Sequence, residues 1–98
     1  MDFSFDPTKN ARNIAAHGVS LERAAEFEWR GAFNREDTRH DYGERRFQAF
    51  GLIGSRVYIL IHTPREGRVH VISLRKANKR EVRRYENQAK DKKGSNGS

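Results

Sequence analysis

The clearest pattern in the chain is alternation. Asp2 to Phe5 alternates polar and apolar residues, which places Phe3 and Phe5 on one side of a short strand. Arg46 to Ile53 reads as a second strand, and Val57 to His62, VYILIH, is the most apolar and reads as central. Gly54-Ser55 between them fits a two-residue hairpin turn with glycine first. Thr63 to Gly67, punctuated by Pro64 and Gly67, reads as a turn. Val69, Val71, Ile72 and Leu74 then make a last strand from Arg68.

Helical spacing appears twice. Asp6 caps a helix that opens on Pro7, with Ala11, Ile14 and Ala15 as its buried side and Gly18 as its stop. Ser20 caps a second helix, with Val19 and Ala24 spaced as a hydrophobic staple and Leu21, Ala24, Ala25 and Phe27 facing inward. The two predict an αα-hairpin. Asn78 caps a C-terminal helix whose apolar stripe is Val82, Tyr85 and Ala89. Asn34 to Glu44 is polar and mixed in charge, a loop or a short edge strand, and Trp29 is a core candidate. Residues 91–98 have the composition of a flexible, solvated tail, which leaves 1–90 as one domain. The order predicts an α+β domain: a small antiparallel sheet, a helical hairpin before it and a basic helix after it.

Charge narrows the function. The 98 residues carry a formal net charge of +7. Six of the cations, Arg75, Lys76, Lys79, Arg80, Arg83 and Arg84, fall within ten residues. Such a density is repulsive unless an anion is expected nearby, which favours a polyanionic partner (nucleic acid, an acidic protein, or both) over a charge excess that serves solubility alone. Cysteine is absent, which excludes disulfides and thiolate metal sites. No apolar run is long enough for a membrane span, and the acidic start MDFSFDP lacks the form of a signal peptide, so a cytoplasmic location is expected.

Two motifs carry a family resemblance. Phe5 to Ala24, FDPTKNARNIAAHGVSLERA, has an aromatic-Asp-Pro-x-Lys start, a later Asn, His-Gly-Val and a Ser-capped helix. Ile72 to Glu86, ISLRKANKREVRRYE, follows a Ser-x-Arg-Lys-Ala…Glu…Tyr pattern, and Gly43 to Arg45 supplies a Gly-Glu-Arg step between them. These residues resemble the BrnT family of toxins from type II toxin–antitoxin modules, which share a RelE-like fold. Phe5 stands where Trp is more usual, and Ala16 where a Lys often precedes the His. The resemblance implies an endoribonuclease that inhibits translation. It also implies a small cognate antitoxin of BrnA type, in a hetero-oligomer that binds operator DNA through the antitoxin.

Metal-independent RNA cleavage uses the substrate's own 2′-hydroxyl as nucleophile. The protein must deprotonate it, stabilise an anionic phosphorane and protonate the leaving oxygen. Arg65 and Arg80 are the candidates for transition-state charge, and Arg75 for orienting a phosphate. Glu81 is either a base or a charge partner for Arg84 or Arg75. His17 ends the first helix, where it either serves the chemistry or caps the helix. Lys9, Lys76 and Lys79 are candidates for RNA backbone contacts, and Arg83 and Arg84 for antitoxin binding. Tyr85 either stacks on a base or packs in the core. His62 and His70 lie on neighbouring strands, yet no third ligand is spaced to complete a metal site; no metal or other cofactor is expected. His40, in a polar loop, points to nothing in particular. Two other readings use the same basic helix without catalysis: a nucleic-acid-binding module, and a domain that docks an acidic protein.

Overall fold

A computed structural model describes residues 2–97, with side chains through Ala89. Its elements are β1 (Phe3–Phe5), α1 (Pro7–His17), a short 3₁₀ helix (Leu21–Glu26), β2 (Glu28–Glu36), β3 (Phe47–Ile53), β4 (Arg56–Arg65), β5 (Arg68–Lys76) and α2 (Lys79–Gly97). The strands form one sheet in the order β1-β5-β4-β3-β2. The α+β class is as expected, but the sheet is mixed rather than antiparallel. β1 pairs with β5 in parallel, Phe3 beside Val69 and Phe5 beside Val71. The segment between β1 and the meander begins as a helix, so the chain leaves the sheet before it returns.

Local signals account for the termini of the elements. Asp6 accepts a hydrogen bond from the Thr8 N–H at 2.8 Å, Pro7 takes the first turn, and Gly18 closes α1 at φ 69°. Asn78 and Glu81 form a capping box at the start of α2: Asn78 Oδ1 accepts from the Glu81 N–H and Glu81 Oε1 from the Asn78 N–H, both at 2.9 Å. The β3–β4 turn has Gly54 at φ 62°, as a glycine-first hairpin requires. The expected five-residue turn from Thr63 is shorter. Thr63, Pro64 and Arg65 belong to β4, and Glu66-Gly67, both at positive φ, make a two-residue turn.

Three other expectations change. The stripe of Ala11, Ile14 and Ala15 is exposed, with Ile14 at 46%. The helix docks through asparagines instead. Asn10 Oδ1 accepts from the Leu21 N–H at 2.7 Å, and Asn13 is buried. The αα-hairpin is a single α-helix followed by a 3₁₀ helix, whose Leu21 and Ala24 are buried while Ala25 is exposed. A fifth strand, β2, lies at the sheet edge; its end, residues 34–36, meets the edge-strand alternative for the polar stretch, but it starts at Glu28, where no strand is expected. Its pairing slips between Glu28 and Phe33, where the four residues 29–32 oppose Gly51 alone on β3, and Gly31 sits there at φ 89°. That bulge breaks the alternation that announces a strand.

The two faces of the sheet differ. One carries the main core: Ala49, Tyr58, Leu60, Val71 and Leu74, covered by Val19, Leu21, Ala24 and Phe27. Phe27 lies so close to β3 that a Cβ on Gly51 would stand 2.6 Å from its ring, which explains a glycine in mid-strand. The opposite face carries Phe50, Ile59 and Thr63, with Phe33 stacked on Phe50 at 4.4 Å. The start of α2 packs near β2 and β3, where Val82 and Tyr85 are half-buried and Ala89 is exposed. The α2 backbone stays helical to Gly97, past the point where composition suggests a tail; Ser98 lies outside the described residues.

Candidate RNA-binding and catalytic face

The strand β5 orders the candidate residues. Its pairing with β1 stops at Val71, and beyond that one side chain bonds its edge at Leu74. Asn13 Nδ2 donates to the Leu74 carbonyl at 2.7 Å, and Asn13 Oδ1 accepts from the Leu74 N–H at 3.2 Å. A primary amide thus stands in for the missing strand partner. The same side chain donates to the Val19 carbonyl at 2.9 Å and accepts from Ser73 Oγ at 3.2 Å. This fixes α1 along β5 and opens a groove between them.

The groove has a volume of about 270 Å³ and is lined by Lys9, Arg12, Asn13, Ala16, His17, Ile72 and Ser73. Two cations and an imidazole face it, and no carboxylate lines it among the described residues. Lys9 and Arg12 form no salt bridge among the described residues. They are i, i+3 neighbours on α1, so their charges reinforce one another along the groove wall. Ala16, the departure noted in the first motif, lines the wall and adds no cation to it. Arg12 was not singled out from sequence. Its place one turn after Lys9 and one turn before Ala16 is the signal that could have found it.

At the far end of β5, Arg75 and Glu81 make a two-pronged ion pair, with both contacts at 2.8 Å. The guanidinium holds the Glu81 carboxyl below its ordinary range, opposed by burial and helped by the Asn78 N–H. Glu81 is therefore tied to Arg75 and to the helix cap, the charge-partner arrangement that was one of the two readings for it. Arg75 in turn offers less to a phosphate than its sequence position suggests. Lys76, Lys79, Arg80, Arg83 and Arg84 remain exposed beside this pair. Arg80, Arg83 and Arg84 line a shallow depression on α2 with Asn87 and Gln88.

Arg65 stands elsewhere. On β4 it pairs with Arg68, whereas Ile59, six residues earlier, pairs with Arg75. Six residues of strand span about 20 Å. Arg65 and Arg80, expected to share transition-state charge, thus sit toward opposite ends of the sheet and do not converge on one phosphate. Arg65 contacts Glu44 at 3.2 Å and is half-exposed.

The histidines separate as well. His62 pairs with Val71 and His70 with Thr63, so the two rings point to opposite faces and share no metal. His62 is packed between Trp29 and Phe47, with Asn34 at 3.0 Å, and burial lowers its pKa. Trp29 is half-buried on the core face, as expected of a core residue. His70 is buried on the other face, its Nδ1 2.9 Å from Ser4 Oγ. His40 packs edge-on against Tyr42 in the β2–β3 loop. That loop is held by Asp37, which accepts two bonds from the Arg39 guanidinium at 2.8 Å and one from Tyr42.

The domain is small, basic and α+β, with a groove lined by Lys9, Arg12 and His17 beside β5. The chain belongs to the family of the ribonuclease toxin, BrnT, of type II toxin–antitoxin systems, whose model matches residues 5–81. No curated protein matches the chain. The family match ends on Glu81, so it includes the groove, Arg65, His70 and the Arg75–Glu81 pair, but not Arg83 or Arg84. No described helix is long and apolar enough to cross a membrane.

Proposed function

We propose that this toxin cleaves single-stranded RNA without a metal, by attack of the 2′-hydroxyl on the adjacent phosphorus, and so inhibits translation in the cytoplasm. The observation that carries the reading is the groove between α1 and β5, where Lys9, Arg12 and His17 face one space that no carboxylate lines among the described residues. RNA lies along β5 in this reading. Lys9 and Arg12 hold its backbone, His17 contacts a phosphate at the groove wall, and Arg65 supplies transition-state charge. Lys76, Lys79 and Arg80, with Arg75 behind them, hold the strand further along. The expected result is cleavage of RNA by the pure protein in EDTA. Loss of cleavage in EDTA, restored by a divalent cation, overturns the metal-free mechanism.

We further infer a RelE-like layout for the domain, on the strength of family membership, and a BrnA-like antitoxin that neutralises it and carries the complex to operator DNA. The exposed cations of α2 suit an acidic antitoxin segment, with Arg83 and Arg84 as its contacts. Reversing both to Glu should slow association, with a smaller effect on dissociation, because exposed charges steer encounter and are screened over about 8 Å at physiological ionic strength. Surface plasmon resonance at low and high salt reads both rates. Association that ignores the reversal and the salt places the antitoxin elsewhere.

A further inference from the structure

One histidine has a setting that the reading above leaves unused. Ser4, His70 and Thr63 lie side by side on β1, β5 and β4, in one row across three strands. Cross-strand neighbours share a face, and residues two apart on one strand do too. Arg65 is therefore the diagonal neighbour of His70 on the same surface. Thr63 beside the ring is fixed by its own bond, Oγ1 donating to the Arg45 carbonyl. His70 is 8% exposed, and the one hydrogen bond of its ring among the described residues is the 2.9 Å contact of Nδ1 with Ser4 Oγ.

We propose that His70 is the general base of RNA cleavage, that Arg65 is the cation beside the reacting phosphate, and that Ser4 is the positioning residue of the imidazole. The proposal rests on the ribonuclease reading and deepens it. For this role Nδ1 carries the proton and donates to Ser4 Oγ, which leaves the Nε2 lone pair free. The 2′-O–H bond breaks and its proton passes to Nε2. The freed electron pair forms the O2′–P bond, the P–O5′ bond breaks, and the 5′-oxygen takes a proton from water. The products are a 2′,3′-cyclic phosphate and a 5′-hydroxyl, and the imidazolium returns its proton to solvent.

The surroundings suit a base. Burial lowers the His70 pKa first of all, and the nearby Arg65 and Lys9 charges act in the same direction. Glu44 and Asp6 also face the ring and oppose this, but the net direction is down. Arg68, on the same strand face, is paired with Asp2 at 2.8 Å. The ring is thus neutral at pH 7, the form that accepts a proton. No other histidine meets these conditions. His62 points to the other face, His40 is in the loop, and His17 is exposed at the end of α1.

The test is the pH profile of RNA cleavage in EDTA for the full chain and three variants. His70→Gln should lower the rate by roughly 10²–10⁴, the range for losing one proton-transfer group, and remove the acid limb of the profile. His70→Gly should recover part of its activity with added imidazole. Ser4→Ala should lower the rate less and move the acid limb to lower pH, because the imidazolium loses an acceptor. Circular dichroism establishes that each variant is folded, and imidazole rescue separates a missing base from a damaged fold. His70→Gln cleaving at the wild-type rate with an unchanged acid limb overturns the assignment and leaves the ribonuclease reading intact. Wild-type protein that cleaves no RNA overturns both.

Discussion

Arg65→Ala should lower RNA cleavage by roughly 10²–10³, the range for removing one preorganised stabiliser of developing charge. The loss should fall on kcat, since the guanidinium is asked to act on the phosphorane more than on the bound substrate. The fold should be untouched. Arg65 is half-exposed, and its partner Glu44 keeps Arg46 within 3.6 Å when Arg65 is gone. Arg80→Ala provides the contrast. Near the far end of β5, it should lose affinity for RNA and little kcat. Single-turnover cleavage against RNA concentration separates the two, and equal kcat losses for both variants would contradict the geometry.

Asn13→Ala should be the most destabilising single change in α1, at about 3 kcal/mol or more. The side chain satisfies Leu74 N–H, Leu74 C=O and Val19 C=O, and each buried polar group left without a partner costs about 1–3 kcal/mol. Asn13→Asp should not rescue it, because a carboxylate presents an acceptor to two carbonyls that need a donor. Urea unfolding followed by circular dichroism measures the change. A loss under about 1 kcal/mol would mean that water replaces the amide at the edge of β5. By contrast Ile14→Ala, on the exposed side of the same helix, should change stability little.

That contrast shows what the sequence makes legible. Features set by neighbours in the chain are readable from it: the Asp6-Pro7 cap, Gly18, the Asn78–Glu81 capping box, the Gly54 turn and the apolar run of β4. Features set by distant partners are not. Ala11, Ile14 and Ala15 are spaced like a buried stripe, but α1 is held by asparagine side chains bonded to the backbone, which hydrophobic periodicity does not register. The strand β2 escapes because Gly31 sits in a bulge that resets its alternation. The parallel pairing of β1 joins residues more than sixty positions apart, as Ser4 and His70 show. The site divides along the same line. Lys9, His17 and the cations around Arg75 stand out by motif and density. The separation of Arg65 from Arg80, and the opposed faces of His62 and His70, follow from strand register, which a bulge between Ile61 and His62 shifts.

In the proposed mechanism the substrate's 2′-hydroxyl is the nucleophile, and the protein supplies only positioned charge and proton transfer. The most direct measurement is the chemistry of the ends left on RNA cut by the pure protein in EDTA. The expected ends are a 2′,3′-cyclic phosphate and a 5′-hydroxyl, with no cut in a DNA strand of the same sequence. Ends bearing a 3′-hydroxyl and a 5′-phosphate would contradict it, because they require water, activated by some other group, to attack the phosphorus.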